Sequence, residues 1–235
     1  MTEMSPSESE VELLNKFFAA EMRARGLAGK VEIEYRQAAW GKRLVDLLKD
    51  SDDVDILASG ITPTPKRERD WNVRFSRPTI KFYSAAVTLQ GTLPLKEGNL
   101  TLGKIGAANN TTNKDFLISL YGSSERVYIE SESPYYDHLV DRLMHNEIQG
   151  FVIDSLYYPQ LIALHPELLT KAQILFLRPV VNNKFQLWTA AYALRPQDVD
   201  LINELNNYLL TADNDRKLLQ SRYFPELPFF PLAPR

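Results

Sequence analysis

The pattern of apolar and polar positions alternates between a helical period and a strand period along almost the whole chain. Helical spacing predicts helices from Val11 to a stop at Gly26 and over 40–48, 113–121, 135–145, 199–210 and 214–222. Alternating or continuous apolar runs predict strands over 31–35, 54–58, 80–89, 103–107, 126–129, 150–154 and 185–194. Residues 63–78 are rich in proline and charge and are predicted to form an extended loop.

The order of these elements predicts an α/β protein with two domains. Strands that alternate with helices favour mostly parallel sheets with helices on both faces. Two strand-like runs bracket a self-contained βαβαβ block, so the last helices must return to the first half of the chain. We therefore expect a discontinuous lobe I (1–87 plus 191–235), a lobe II (88–190) and two interlobe crossings. A ligand would sit in the interlobe cleft, at the carboxyl ends of the strands.

Composition excludes several function classes. The 235 residues are 44 % hydrophobic and 24 % charged, and the net charge of −3 argues against a nucleic-acid partner. The sequence contains no cysteine, so it offers no disulfide, thiolate metal site or cysteine nucleophile. The three histidines do not share a metal-ligand spacing with carboxylates, and no phosphate-binding loop occurs, so we predict neither a metal nor a cofactor.

The first residues bear on the compartment. No apolar run reaches the roughly 20 residues that span a bilayer. Residues 1–6 lack the basic and apolar regions of a secretory signal. From this pattern the protein is either cytoplasmic or has lost an export signal.

Three short segments carry a family resemblance. The first segment, 54–67, contains a strand-like apolar run followed by the motif Gly-x-Thr-x-Thr-Pro-x-Arg, and Phe-Ser-x-Pro follows at 75–78. The second segment, 104–112, contains a predicted strand and the start of a helix. The third segment, 150–155, contains a predicted strand that ends in an acidic residue. Together with the helix pair at 201–223, they resemble the family 3 extracellular solute-binding proteins, which have the type II periplasmic-binding-protein fold. The similarity runs from about residue 10 to residue 225.

Arg67 is the first candidate ligand contact. A guanidinium presents two parallel N–H donors and grips a carboxylate bidentately. The resemblance implies that Arg67 holds the α-carboxylate of an amino acid. The alternative from spacing alone is a solvated arginine in the charged stretch 66–70.

The resemblance supplies the other candidate ligand contacts, which are Ser59, Gly60, Thr62, Asn110, Thr111, Thr112, Asp154 and Trp40. Thr62 and Thr111 would donate hydrogen bonds to the ligand carboxylate. The N-terminus of the helix that starts at Thr111 and Thr112 carries a partial positive charge, which favours binding of an anion. Plain N-capping by threonine is the alternative. Asp154 would accept hydrogen bonds from the ligand's ammonium group. The alternative is that Asp154 caps the helix that starts at Ser155.

The remaining candidates carry weaker signals. Ser59 and Gly60 would allow close backbone approach, or would only form a turn. Asn110 stands where the family has a glycine. Trp40 would stack in the cleft, or would pack between sheet and helix.

The sequence departs from the family at its start. The family normally begins with a strand that carries an early ligand contact, and residues 1–10 are too few and too polar to provide it. We therefore expect lobe I to be trimmed, rearranged or completed by another chain.

A second, weaker resemblance concerns a cell-wall enzyme. Asp154 and Ser155 followed by residues 165–168, His-Pro-Glu-Leu, look like the binding domain of the membrane-bound lytic murein transglycosylase F. In that family a catalytic domain follows; because this chain ends at Arg235, we expect that any such activity would be supplied by a separate segment.

These observations predict a non-catalytic solute-binding protein that captures a small carboxylate-bearing, amino-acid-like ligand for an ABC importer. The resemblance implies a periplasmic or extracellular location. The alternative is a regulatory or sensory domain of a lytic transglycosylase or receptor, with a peptide-like ligand and a fused catalytic or sensor domain as partner. An enzyme on this fold, such as a small-acid dehydratase, would need a general acid beside Arg67, and Asp154 is the one candidate.

Overall fold

The structure is a computed structural model that describes residues 8–27, 29–30, 33–36, 42–50, 54–91, 103–122, 125–132, 134–177, 180–181, 184–185 and 188–223. Its helices are α1 (Glu8–Ala24), α2 (Lys42–Asp50), α3 (Pro65–Trp71), α4 (Thr112–Tyr121), α5 (Tyr135–Met144), α6 (Tyr158–Leu164), α7 (Leu168–Lys171), α8 (Val199–Thr211) and α9 (Asp213–Tyr223). A 3-10 turn, Ser155–Tyr157, precedes α6.

The strands are β1 (Ile56–Ile61), β2 (Arg74–Phe75), β3 (Ile80–Phe82), β4 (Ser84–Leu89), β5 (Ile105–Ala108), β6 (Val127–Glu130), β7 (Gly150–Asp154), β8 (Ala172–Leu177), β9 (Val180–Val181), β10 (Lys184–Phe185) and β11 (Trp188–Leu194). Strands and helices are mixed throughout, as the α/β prediction requires. Among the described helices, none is both long enough and apolar enough to cross a membrane.

The chain divides into two compact units. Unit 1 is built from the residues up to Lys81 and from Thr189 onwards, and unit 2 runs from Phe82 to Trp188. Unit 2 is therefore one continuous stretch of sequence, whereas unit 1 combines the two ends of the chain.

The sheet of unit 1 is antiparallel where its register is defined. In the described residues β11 lies between β1 and β2, with Ile56 opposite Leu194 and Ala193 opposite Phe75, and β3 also pairs with β11. Helices α1, α8 and α9 bury their apolar faces on this sheet in a cluster that includes Phe17. The cluster also contains these buried side chains: Leu13, Leu14, Tyr192, Leu205, Leu209 and Leu219.

Strand β1 contains a bulge. Between two paired positions β1 advances by four residues, from Leu57 to Ile61, while β11 advances by two, from Ala193 to Ala191. Gly60 lies inside the bulge with φ at +63°, a left-handed conformation that glycine adopts without steric penalty.

The sheet of unit 2 is mixed. Its described strands follow the order β6-β5-β7-β4-β8, in which β5 is parallel to β6 and β7, and β4 is antiparallel to β7 and β8. Helix α5 packs its Leu139 and Leu143 against Phe151 in one core cluster, and α4 packs Leu117 against Val152 in another. Helices thus contribute to both clusters. The described strands are less parallel than predicted, since among the pairings whose register is defined only the two pairings of β5 are parallel. The apolar pattern does not give strand direction, because parallel and antiparallel buried strands both appear as apolar runs.

Gly106 in β5 allows α5 to approach the sheet closely. A Cβ atom at this position would lie 2.6 Å from Cδ2 of Leu139, 3.1 Å from Cδ1 of Ile148 and 3.3 Å from Cβ of Phe151. Glycine in a strand often marks such an approach.

Several predicted elements differ from the structure. The predicted strand at 31–35 is wrong in its described part, because residues 33–36 form no strand there. The loop predicted over 63–78 contains α3 and β2, and the run 80–89 is interrupted at Tyr83. Strand β8 was not predicted. Alternation alone does not make a strand, since a strand also needs a neighbour to share its hydrogen bonds.

Candidate ligand-binding site

The candidate site in unit 1 is the loop that joins β1 to α3. Thr64 caps α3, because its hydroxyl accepts a hydrogen bond from the backbone N–H of Arg67 at 3.1 Å. Pro65 occupies the first turn, where its missing N–H has no cost. The Thr-Pro pair therefore starts a helix inside a segment that is otherwise charged.

Arg67 is held by its own loop. Its Nη1 donates to the backbone carbonyl of Thr62 at 2.9 Å, and the guanidinium carbon lies 5.0 Å from the centre of the Trp71 ring. The side chain is partly buried, and Thr62 is 4 % exposed. These two contacts hold the side chain against its own loop, and the role of Arg67 as a ligand contact stays a prediction.

Ser59 and Gly60 lie in the bulge of β1, and Thr62 follows Gly60 by two residues. The backbone N–H of Gly60 donates to Oε2 of Glu10 at 2.6 Å. The side chain of Ser59 and the whole of Trp40 lie outside the described residues, so their predicted roles stay predictions.

The candidate site in unit 2 begins at the turn between β5 and α4. Asn110 has φ at +59°, in the left-handed region where glycine is favoured and asparagine is the best-tolerated alternative. The Thr111 hydroxyl donates to the carbonyl of Ala108 at 2.7 Å and accepts from the N–H of Lys114 at 3.3 Å, so Thr111 caps α4. Thr112, the first residue of the helix, is buried.

Replacing Asn110 tests this backbone conformation. Asn110→Gly is expected to leave the free energy of unfolding within about 0.5 kcal/mol of the parent, since glycine favours positive φ. Asn110→Val is expected to destabilise by about 1–2 kcal/mol, because a β-branched residue is strained there. Thermal unfolding measures both variants, and equal stabilities would contradict the assigned conformation.

Asp154 lies at the carboxyl end of β7 and is 8 % exposed. Its Oδ1 accepts a hydrogen bond from Nδ2 of Asn113 at 2.9 Å, and Oδ1 of Asn113 accepts from the hydroxyl of Ser84 at 2.7 Å. The alternative role of Asp154 as a helix cap is wrong, because its side chain makes no capping bond to the 3-10 turn. The chain of bonds instead ties together the ends of β4 and β7 and the first turn of α4.

Tyr136 lies near this carboxylate in unit 2. Burial raises the pKa of the Tyr136 phenol well above its usual value, and the negative charge of Asp154 raises it further. The phenol is therefore neutral at physiological pH.

Known proteins identify this fold. The family model for bacterial extracellular solute-binding proteins, family 3, matches residues 9–226. The chain belongs to this family. The comparison with curated proteins found no match.

Three solved structures illustrate the likeness. The arginine-, lysine- and histidine-binding protein ArtJ from Geobacillus stearothermophilus is 21 % identical with a TM-score of 0.68, over 94 % of this chain and 87 % of that one. A structure from work on glutathione import through GshT and the cystine ABC importer TcyBC of Streptococcus mutans is 16 % identical with a TM-score of 0.68, over 92 % and 84 %.

The third is the ancestral amino-acid-binding protein AncCDT-1, described as a precursor of cyclohexadienyl dehydratase. It is 19 % identical with a TM-score of 0.66, over 92 % of this chain and 85 % of that one. At these identities the structures establish the fold. The predicted family and the type II periplasmic-binding-protein fold are both confirmed.

Two residues that organise the candidate sites were not predicted, Glu10 and Asn113. Glu10 had a readable signal, because it precedes Leu13, Leu14 and Phe17 by three, four and seven residues and so lies on the apolar face of α1. Asn113 had none, since an asparagine in the first turn of a helix is common.

The segment that suggested a lytic transglycosylase makes local contacts within unit 2. The ring of His165 has Nε2 at 2.8 Å from Oδ1 of Asp137 and Nδ1 at 3.4 Å from Oε1 of Glu167. These contacts link α5 to the turn before α7. The comparisons do not show the transglycosylase resemblance, which stays a prediction.

Within the described residues, no group of three or more histidines and carboxylates is placed to hold a metal ion.

Proposed function

We propose that this solute-binding protein captures a small amino-acid-like molecule and that Arg67 of unit 1 binds its carboxylate. The observation that carries the proposal is the orientation of Arg67 by the Thr62 carbonyl and the Trp71 ring. A guanidinium that is already held by these two contacts loses less side-chain entropy when it forms bidentate bonds to a carboxylate.

The residues of unit 2 support a ligand that carries both charges. The first turn of α4 presents backbone N–H groups and the positive end of the helix, which suit a carboxylate. Asp154 is an acid at a strand end, held by Asn113, and suits an ammonium group. An α-amino acid carries both groups on one carbon atom.

The partner that we propose is the permease of an ABC importer. One of the similar structures comes from work on such an importer, and the family is extracellular. Ligand capture would occur outside the cytoplasmic membrane, and the permease would recognise the ligand-bound form through its different conformation.

We further propose that binding is not followed by catalysis. A dehydratase on this fold would need a proton donor at the ligand, and Asp154 is the candidate. Its Oδ1 accepts a hydrogen bond from Asn113, an arrangement that holds the carboxylate in place as a binding contact. The likeness to a dehydratase precursor makes a chemical assay worthwhile.

A ligand screen tests the proposed function. The protein is mixed with each of the twenty amino acids, with glutathione and with a muropeptide, and the unfolding temperature is measured. A ligand at a hundred times its Kd is expected to stabilise the folded state by about 2.7 kcal/mol. Calorimetry then gives the Kd, and chromatography of the recovered ligand shows whether it is unchanged.

The outcomes separate the alternatives. Stabilisation by one or a few amino acids, recovered intact, supports the proposal. Stabilisation by the muropeptide alone would instead favour a cell-wall sensor, and a chemically altered ligand would favour an enzyme. If none of these compounds raises the unfolding temperature, the proposed ligand class is wrong.

A further inference from the structure

Glu10 is a buried acid on the inner face of α1. It is 2 % exposed, and it shares this face with Leu13, Leu14 and Phe17, which lie in the core of unit 1. A carboxylate in such a place is unfavourable unless hydrogen bonds replace its hydration. The contacts that it makes therefore indicate why an acid occupies the position.

Each carboxylate oxygen of Glu10 accepts a hydrogen bond. Oε2 accepts from the backbone N–H of Gly60 at 2.6 Å, and Oε1 accepts from the hydroxyl of Thr79 at 2.7 Å. The Thr79 hydroxyl also lies 3.2 Å from the carbonyl of Ala190. Glu10 thus joins α1 to the bulge of β1 and to the residue before β3.

The bond to Gly60 explains how the bulge is maintained. The bulge interrupts the regular pairing of β1 with β11, and the buried N–H of Gly60 finds its acceptor on a side chain of α1. A buried N–H without an acceptor would be strongly unfavourable. Two residues later the carbonyl of Thr62 accepts from Arg67, so the conformation of the bulge sets the position of that carbonyl.

From this geometry we infer that Glu10 is a positioning residue for the ligand-binding loop. Its carboxylate holds the bulge at Gly60, and the bulge holds the Thr62 carbonyl that orients Arg67. The role in ligand affinity rests on the proposed function, whereas the role in loop geometry does not.

The titratable and charged groups around Glu10 come from two elements of unit 1, β11 and α9. Tyr192 of β11 donates its hydroxyl to the backbone carbonyl of Glu10 at 2.8 Å. Arg216 of α9 lines the same small cavity as Glu10 and donates from Nε to the carbonyl of Thr79 at 2.6 Å. Asp213, also of α9, pairs with Arg216.

The contribution of Glu10 to the stability of the folded protein depends on pH in a definite direction. Burial raises the pKa of Glu10, and the bonds from Gly60 and Thr79 oppose this shift in part. Between the ordinary carboxyl pKa and the raised value, the folded protein retains a proton that the unfolded chain has lost. The Glu10 contribution to stability therefore falls as pH rises through this window. Over the same window the bond from Gly60 becomes charge-assisted and stronger.

NMR of the ligand-free protein tests the loop geometry. The amide proton of Gly60 is expected to move downfield as pH rises, with a midpoint above the ordinary carboxyl pKa. The variant E10Q keeps an acceptor for Gly60 but carries no charge, so this titration should vanish in it. The three histidines lie in unit 2, so none of them accounts for a titration in unit 1.

Two further variants separate positioning from general destabilisation. E10A removes the acceptor of Gly60, and Y192F removes the bond to the Glu10 backbone but leaves the carboxylate in place. Both are expected to lower the unfolding temperature. Only E10A is expected to shift the amide signals of residues 60–67. E10A alone is also expected to weaken binding of the ligand found in the screen by about tenfold or more.

E10Q decides the question if E10A does not fold. Its affinity at pH 7 is expected to lie within about fivefold of the parent protein. The inference is overturned if the Gly60 amide shows no pH midpoint that E10Q removes, or if E10A and Y192F perturb residues 60–67 equally. A positive NMR result without any bound ligand would reject the proposed function and leave the positioning of the loop intact.

Discussion

Replacing Arg67 with alanine is expected to weaken ligand binding by about a hundredfold or more, with little change in the free energy of unfolding. A hundredfold loss corresponds to about 2.7 kcal/mol, within the range for removing one partner of a buried charge pair. The folded protein loses only the bond to Thr62 and the contact with Trp71, both at a partly buried position. Calorimetric titration and urea unfolding measure the two quantities.

Two variants control this experiment. Arg67→Lys keeps the charge but cannot make the parallel pair of bonds, so its affinity should fall between those of the parent and the alanine variant. Arg69→Ala removes an exposed arginine from the same helix and should leave affinity unchanged. If Arg67→Ala and Arg69→Ala bind the ligand equally well, Arg67 is not a ligand contact.

Replacing Gly106 with valine is expected to destabilise unit 2 by about 3 kcal/mol, at the upper end of the usual range for overpacking. The added carbon atoms would meet Leu139, Ile148 and Phe151, which are all fully buried. In an open strand the same change would be stabilising, because valine favours β-structure more than glycine does. The sign of the effect therefore reports the close approach of α5 to β5.

Amide hydrogen exchange of residues in β5 and β7 follows the stability of unit 2 directly. Gly103→Val is the matched control, since Gly103 is exposed and the side chain nearest to its added Cβ is the exposed Gln149. Equal loss of protection in the two variants would mean that Gly106 has no special packing role.

Much of unit 2 could be predicted because its signals are local. The apolar run at 150–154 and the helical spacing at 135–145 each identify an element without reference to distant residues, and β7 and α5 lie there. Helix α3 has no buried residue, so hydrophobic spacing could not reveal it. Its signal is the Thr64-Pro65 cap, which lies inside the segment that the proline and charge content predicts to be a loop.

In the candidate sites too, residues of a short local motif could be predicted, whereas residues with distant partners could not. The Gly60-Thr62-Arg67 loop is a short motif, so its members are recognised together from sequence. Glu10 and Asn113 reach partners that are 50 and 41 residues away, at Gly60 and Asp154. A single sequence without its fold does not indicate which buried donor such a side chain will meet.

The division of unit 1 between the two ends of the chain imposes an order on biosynthesis. Unit 2 is continuous and can fold as soon as Trp188 has left the ribosome, since domains generally fold as units during synthesis. The core around Phe17 must wait for Tyr192 and for helices α8 and α9, which are made on the order of ten seconds after residue 81 at ordinary translation rates. Until those segments are available, the apolar face of α1 lacks the partners that bury it in the folded protein.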